Sequence, residues 1–341
     1  MNKTIVSTSV ATVLTLASFG ALADGPNFYG RLDLTVSNSD NGFTTQNKKD
    51  GTVLENNFSH LGVKGTERIT DGATLIYQME FQVENTTDTG SSDPFKARNT
   101  FLGIKAHAGT VLVGRNDTVF KKSEGGVDLF GNSNADIDRM LTGQTRAADG
   151  ITYYSPKIAD MFTINATYLM DDNYEDTDED MYAVSAVFGD KKLKKQGYYA
   201  AVAYNKAISG VDAIRGVAQV KLGDFKVGGL YQQTEKTTDS AIDGSTYFVN
   251  VAYNLNGVNL KAEFGKDDAG FGKYYKNSVG APTATSDIDI TQFTVGADYK
   301  VSKSTMVYGH YAMYEGEHVV ADAKVDLEDE NVFTVGVRYN F

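Results

Sequence analysis

Few residues in this chain have the types and spacing that bond-making chemistry requires. Asp171–Asp180 (DDNYEDTDED) puts seven acids into ten positions. Oxygen-rich clusters can hold Ca²⁺ or Mg²⁺. The run lacks the regular spacing of a Ca²⁺ loop, and like charges repel into an extended, solvated segment. The four histidines, His60, His107, His310 and His318, are widely separated and show no zinc spacing. Hydrolysis would need a nucleophile, a base and an orienting group within reach of one another, and no spacing marks such a set. Gly125-Gly126 and Gly228-Gly229 lack the motif and the following helix of a phosphate-binding loop. No enzyme activity, cofactor or metal is expected.

What remains is a large number of charged side chains at regular positions, so the elements that carry them decide the reading. Phe28, Gly30, Leu32, Leu34 and Val36 alternate with Tyr29, Arg31, Asp33 and Thr35. Ala73, Leu75, Tyr77, Met79, Phe81 and Val83 alternate with a set that includes Thr74, Gln78, Glu80 and Gln82. The same two-residue period recurs over 162–168, 247–253, 258–264 and 292–299. It closes the chain in Asn331–Phe341, where Phe333, Val335, Val337, Tyr339 and Phe341 alternate with Thr334, Gly336, Arg338 and Asn340. A period of two places one set on each face of a strand. One face is apolar or small, the other polar and often charged. Each segment runs about nine to eleven residues, the length a tilted strand needs to cross a bilayer.

Connectors of two kinds take turns. Short ones lie at Leu222–Phe225, Asn254–Gly257, Thr70–Gly72, His107–Gly109, Pro156–Asp160, Asp190–Gln196 and Val301–Ser304. Long polar ones lie at 38–54, 84–95, 116–147, 171–180, 206–212, 234–244, 267–289 and 315–330. The pattern predicts sixteen strands, seven short turns and eight long loops, with both ends of the chain on the short-turn side.

Residues 1–23 read as a secretory signal, with Lys3, an apolar stretch from Val10 to Phe19, and Ala21-Leu22-Ala23 before Asp24. A retained transmembrane helix is the weaker reading, because the stretch is short and interrupted by Ser and Thr. Removing 23 of 341 residues leaves 318 for one barrel domain, 24–341. There is no Cys, hence no disulfide framework. Without Lys3, 31 basic residues face 44 acidic ones, a net charge of −13 that argues against nucleic acid. A chain that crosses a membrane on strands must close into a barrel, since open edges are not tolerated in lipid. Sixteen to eighteen strands leave an aqueous channel, which suits the polar set of side chains.

Several segments carry a family resemblance across the whole mature chain. They are Phe28-Tyr29-Gly30-Arg31-Leu32-Asp33, Ser59-His60-Leu61-Gly62-Val63-Lys64-Gly65-Thr66-Glu67, Arg98 through Lys105, Gly109 through Arg115, Tyr153-Tyr154-Ser155-Pro156 and Tyr339-Asn340-Phe341. Together they resemble the general diffusion porins of the Gram-negative outer membrane, the trimeric sixteen-stranded type. The resemblance implies an all-β, antiparallel transmembrane barrel whose third external loop, here within Asn116–Ala147, folds inward and narrows the pore. It implies loop acids at Glu124 and Asp128 facing wall bases at Arg31 and Arg98, with Arg115 or Arg146 adding to them. His60 stands where many relatives carry Arg, which leaves fewer fixed positive charges and leans the expectation towards cations. A terminal Phe341 with Tyr339 and Val337 resembles the signal read by the barrel-assembly machinery. The implied partners are two further copies of the chain and outer-membrane lipid and lipopolysaccharide; divalent cations bridging lipopolysaccharide at the acidic run are the weaker alternative to a plain solvated loop there.

Inward Lys64, Arg215, Lys221, Lys261 and Arg338 read equally well as an ordinary solvated lumen face. Two other functions compete with passive diffusion. A sugar-selective channel would want an aromatic track along the lumen, whereas most aromatics here sit in the apolar register. A lectin-like sandwich or an adhesin fits the signal, the strand length and the terminal Phe less well.

Overall fold

The structure, a computed structural model, describes residues 25–84, 86, 93–170, 179–280 and 285–341. The signal-like segment 1–23 and residues 171–178 of the acidic run lie outside them. The strands are β1 (Asn27–Ser39), β2 (Gly51–Asn56), β3 (His60–Thr70), β4 (Ala73–Val83), β5 (Phe95–Ala106) and β6 (Gly109–Asp117), then β7 (Arg146–Tyr154), β8 (Phe162–Leu169), β9 (Met181–Gly189) and β10 (Tyr198–Lys206). There follow β11 (Val211–Leu222), β12 (Phe225–Lys236), β13 (Asp239–Leu255), β14 (Val258–Asp267), β15 (Thr285–Lys300), β16 (Thr305–Val320), β17 (Ala323–Asp326) and β18 (Glu330–Asn340).

All eighteen belong to one sheet. β2 and β3 pair with successive parts of β1, so they form one interrupted stave. β17 and β18 likewise share β16. Eighteen strands less these two interruptions make sixteen antiparallel staves, the number the sequence predicts. β18 pairs with β1 from Arg31↔Asn340 to Ser39↔Val332, which closes the sheet and removes its edges.

The period of two sorts the faces as expected. On β1, Leu32 and Val36 are among the exposed apolar residues, while Asp33, Thr35 and Ser37 are buried. On β18, Phe333, Val335, Val337, Tyr339 and Phe341 are exposed and Val332 and Thr334 are buried. The apolar set therefore covers the outside of the barrel and the polar set lines its interior. At the seam, the backbone N–H of Gly30 donates to the Phe341 carbonyl (3.0 Å) and the N–H of Phe341 to that of Gly30 (3.1 Å). A Cβ on Gly30 would stand 2.3 Å from the Phe341 ring, so the glycine is the seat on which that ring lies.

All seven expected short turns are present. The long connectors differ in two places. Where the sequence suggests a loop over 234–244, β12 and β13 continue as a hairpin that turns at Thr237-Thr238. Over 315–330, β16 runs on to Val320 and turns back into β17. Both extensions rise past the apolar band, where no lipid imposes an apolar face and a polar strand is stable on hydrogen bonding alone. The expected loop 267–289 holds a short helix, Lys273–Val279.

Candidate functional site

The connector between β6 and β7 lies inside the barrel. Its two roots are joined, with the N–H of Thr118 donating to the Thr145 carbonyl (3.1 Å). Thr118 caps a single helical turn, Val119–Lys122, through its side-chain oxygen. Val119, Phe120, Val127, Phe130, Ile137, Met140 and Leu141 are all buried, which an external loop would not permit.

A segment held in the lumen must find partners for its carbonyls. Inward-facing side chains of the far wall supply them. Gln219 donates to the Gly126 carbonyl (2.8 Å), Asn250 to that of Val127 (2.6 Å), Lys261 to that of Leu129 (2.8 Å) and Tyr314 to that of Asn134 (2.9 Å). Arg215 stacks its guanidinium 4.2 Å from the centre of the Phe120 ring and donates to the Phe120 and Thr142 carbonyls. Asn134 Nδ2 reaches Glu55 (2.6 Å), Ser37 (3.0 Å) and Thr334 (3.3 Å), tying the loop to both sides of the β1–β18 seam. The loop therefore crosses the lumen and is anchored at both ends.

Between loop and wall lies a cavity of about 600 Å³. The wall presents Arg31, Arg98, Arg146 and Arg338. The loop presents Glu124, Asp128, Asp136 and Asp138 together with Lys121, and Asp117 and Lys273 complete the charged lining. Five of the residues singled out from the sequence, Glu124, Asp128, Arg31, Arg98 and Arg146, thus line one space. Arg115 and His60 are not among its lining residues. Arg115 sits at the strand irregularity beside Gly114, where its Nε is buried and finds no hydrogen-bond partner among the described residues. His60 stands one layer back, its Nδ1 2.8 Å from the Phe58 carbonyl oxygen and its Nε2 3.8 Å from Glu80.

The wall bases are themselves partnered. Arg98 donates to Glu80 (2.6 Å) and Gln82 (3.2 Å). Arg146 donates to Asn99 (2.8 Å) and lies 3.0 Å from Asp117. Arg338 donates to Asp33 (2.5 Å), which also accepts from Tyr308 (2.6 Å). Arg31 donates to the neutral Asn340 (3.0 Å). Glu80 and Asp33 were detectable as inward positions, whereas Asp117 fell within the connector read at 116–147, and nothing in the sequence says which base each one meets. Asp136 and Asp138, in the same connector as Glu124, were missed outright. Asp136 folds its carboxylate onto the N–H groups of Asn132 (2.6 Å) and Asp138 (2.9 Å).

The loop acids are electrostatically strained. Burial, then the charge of Asp136, pushes Glu124 up to about 7, against the pull of Arg215 and Lys121. Burial, then Asp136 and Glu124, raises Asp128 well above the usual carboxylate range. Asp136 is raised by burial and by Asp138. A run of like charges enclosed by protein is the arrangement that moves pKa values in this direction.

No group of three or more metal-ligating side chains occurs among the described residues. The arrangement holds charge across a gap and contains no set for bond chemistry. With that geometry in view, the profile of the Gram-negative porins matches residues 10–319. The chain belongs to that family. It is therefore a β-barrel channel protein of the outer membrane, in a family of channels and not of enzymes. Among curated relatives it is 23% identical over 323 residues to the major outer membrane protein P.IB of Neisseria lactamica, covering 89% of this chain and 88% of that one. It is 26% identical over 193 residues to P.IB of Neisseria sicca, where 54% of this chain spans about half, 51%, of the relative. Among solved structures, the anion-selective porin from Comamonas acidovorans superposes with a TM-score of 0.71 at 19% identity, over 93% of this porin and 100% of that chain. At such identity the match concerns the fold.

Proposed function

We propose that this porin is a passive channel for ions and small hydrophilic solutes with a weak preference for cations. The observation that supports it is the cavity between loop and wall. Of the four loop acids that line it, only Asp138 is salt-bridged among the described residues, to Arg139 and Lys273, whereas Arg98, Arg146 and Arg338 of the wall and Lys121 of the loop each already contact a carboxylate. Opposed charges across a wet gap set up a transverse field. Dipolar solutes align and pass, while bulky or apolar ones meet a barrier.

The same reading includes removal of residues 1–23 on export, a homotrimer, insertion into lipid and lipopolysaccharide, and recognition of Val337, Tyr339 and Phe341 by the assembly machinery. It leaves Arg115 and His60 as modulators of the field outside the lining of the gap. Bridging of lipopolysaccharide by divalent cations rests on the acidic run alone.

Planar-bilayer recording in a salt gradient tests the central claim. Well-folded protein should give ohmic steps, often in threes, with a reversal potential of cationic sign. The Glu124→Gln, Asp128→Asn double variant should move that potential towards anions. Folded protein without steps would sink the channel. An unmoved potential would remove these acids from the constriction.

A further inference from the structure

A second charged space lies on the turn side of the constriction. The connector Asp190–Gly197 bends inward. Leu193, in a left-handed conformation at φ 53°, is buried in the same apolar cluster as Val127 of the inward loop. The two segments touch, since a Cβ on Gly126 would stand 2.9 Å from the Lys191 carbonyl oxygen. Asp190 fixes the turn by accepting from the backbone N–H groups of Lys192 (2.9 Å), Lys194 (2.9 Å) and Lys195 (2.8 Å). Those bonds hold Asp190 ionised while directing its oxygens to the backbone, so no ammonium of the turn forms an ion pair with it among the described residues.

The result is a cavity of about 370 Å³ lined by Lys191, Lys192, Lys194, Lys226 and Lys261. Lys261 is engaged with Asp298 (3.1 Å). The other four ammonium groups have no carboxylate partner among the described residues. Asp128 separates this cavity from the constriction and lines both. Burial, then Asp136 and Glu124, raise its pKa. Asp224 is the remaining acid. Crowding of like charge is visible at Lys191, whose pKa is lowered by burial and then by Lys122 and Lys192. Four lysines without a carboxylate partner around one polar recess are what a compact, multiply charged oxyanion satisfies, each lysine acting as a point charge with rotatable donors.

We infer that the turn-side mouth of the pore is a binding site for small multivalent phosphate anions, formed by Lys191, Lys192 and Lys194 on the inward turn and Lys226 on the adjacent wall. This rests on the channel reading. It adds a station of opposite sign next to the acidic gap, so an anion arriving from the turn side is held there and obstructs the current.

Inorganic pyrophosphate is the probe, used in two measurements on the full chain. In single-channel recordings at constant ionic strength, it should produce flickering block from one compartment only for any inserted pore. The Lys191→Gln, Lys194→Gln, Lys226→Gln variant should weaken that block about tenfold or more. Lys105→Gln, a turn-side lysine outside this cavity, should leave it unchanged. Titration calorimetry of pyrophosphate into detergent-solubilised protein should show the same tenfold contrast without needing a current. Block that is equal from both sides, absent, or unaltered in the triple variant overturns the site, and so does calorimetry that shows no binding. Binding without conductance steps would overturn the channel and leave the site standing.

Discussion

Glu80 governs how much positive charge Arg98 presents to the lumen. Its carboxylate accepts from Arg98 at 2.6 Å and from Tyr29 at 2.9 Å, with His60 at 3.8 Å. A Glu80→Gln variant should free the guanidinium and shift the reversal potential towards anions. Losing the charged partner should also cost about 1.5–3 kcal/mol of stability, read from thermal unfolding. Glu124 supplies the complementary pH experiment. Its pKa lies near 7, above the ordinary carboxylate value, so it is charged above that pH and neutral below it. Cation preference should therefore fall as pH drops from 8 to 6, and Glu124→Gln should flatten this dependence. Stability carries the opposite sign. A carboxyl whose folded pKa is raised binds its proton more tightly in the native state, so its contribution falls as pH rises from about 4.5 to about 7. At this scale the sequence shows only parity. Asp33 and Glu80 fall in polar positions, whereas Arg98 shares the parity of the outward Leu102 and Ile104 and turns inward at the irregularity between β4 and β5, and the pairing of Arg338 with Asp33 spans 305 positions that no local pattern encodes.

The staves were legible because lipid enforces the alternation that marks them. Where lipid stops, so does the signal. Asp239–Ser245 of β13 and Glu315–Val320 of β16 continue as strand with polar residues on both faces, and their sequence looks like loop. The inward loop was legible as a long connector, but its route was not. It depends on donors dispersed among β10–β14 and β16 and on acceptors on β1, β2 and β18. Asn134 is the residue on which that route most depends, because one amide group reaches three wall side chains. Asn134→Leu should release the far end of the loop. The expected outcome is noisy, flickering single-channel current and a loss of about 1–3 kcal/mol in stability. Quiet current at wild-type conductance would show that the loop is held elsewhere.

For the whole molecule, closure is the decisive contact. Every stave has two neighbours only because β18 returns to β1. Gly30→Val tests the fit of that seam. The new side chain would displace the Phe341 ring, whose end lies in its place, while leaving the backbone bonds intact. The barrel should still form, but the temperature at which it shifts from folded to unfolded mobility in electrophoresis should drop. An unchanged transition would mean that the ring adds nothing to closure. Sixteen staves, their alternation and their seven short turns could be read from the chain. The sign and balance of charge at the constriction could not, because they depend on which side chains face each other across the lumen.

The Phe341–Gly30 seat also sets a clock. Arg31 and Asn340, the first residues of the closing register, are 309 positions apart. Neighbouring hairpins can zip as soon as both their strands are available, but this one pairing has to wait for the last strand and then span nearly the whole chain. Pairing over such a separation is slow, and until it happens two raw strand edges stay open to other chains. The rate at which the protein becomes safe from aggregation is therefore the rate at which its two ends meet.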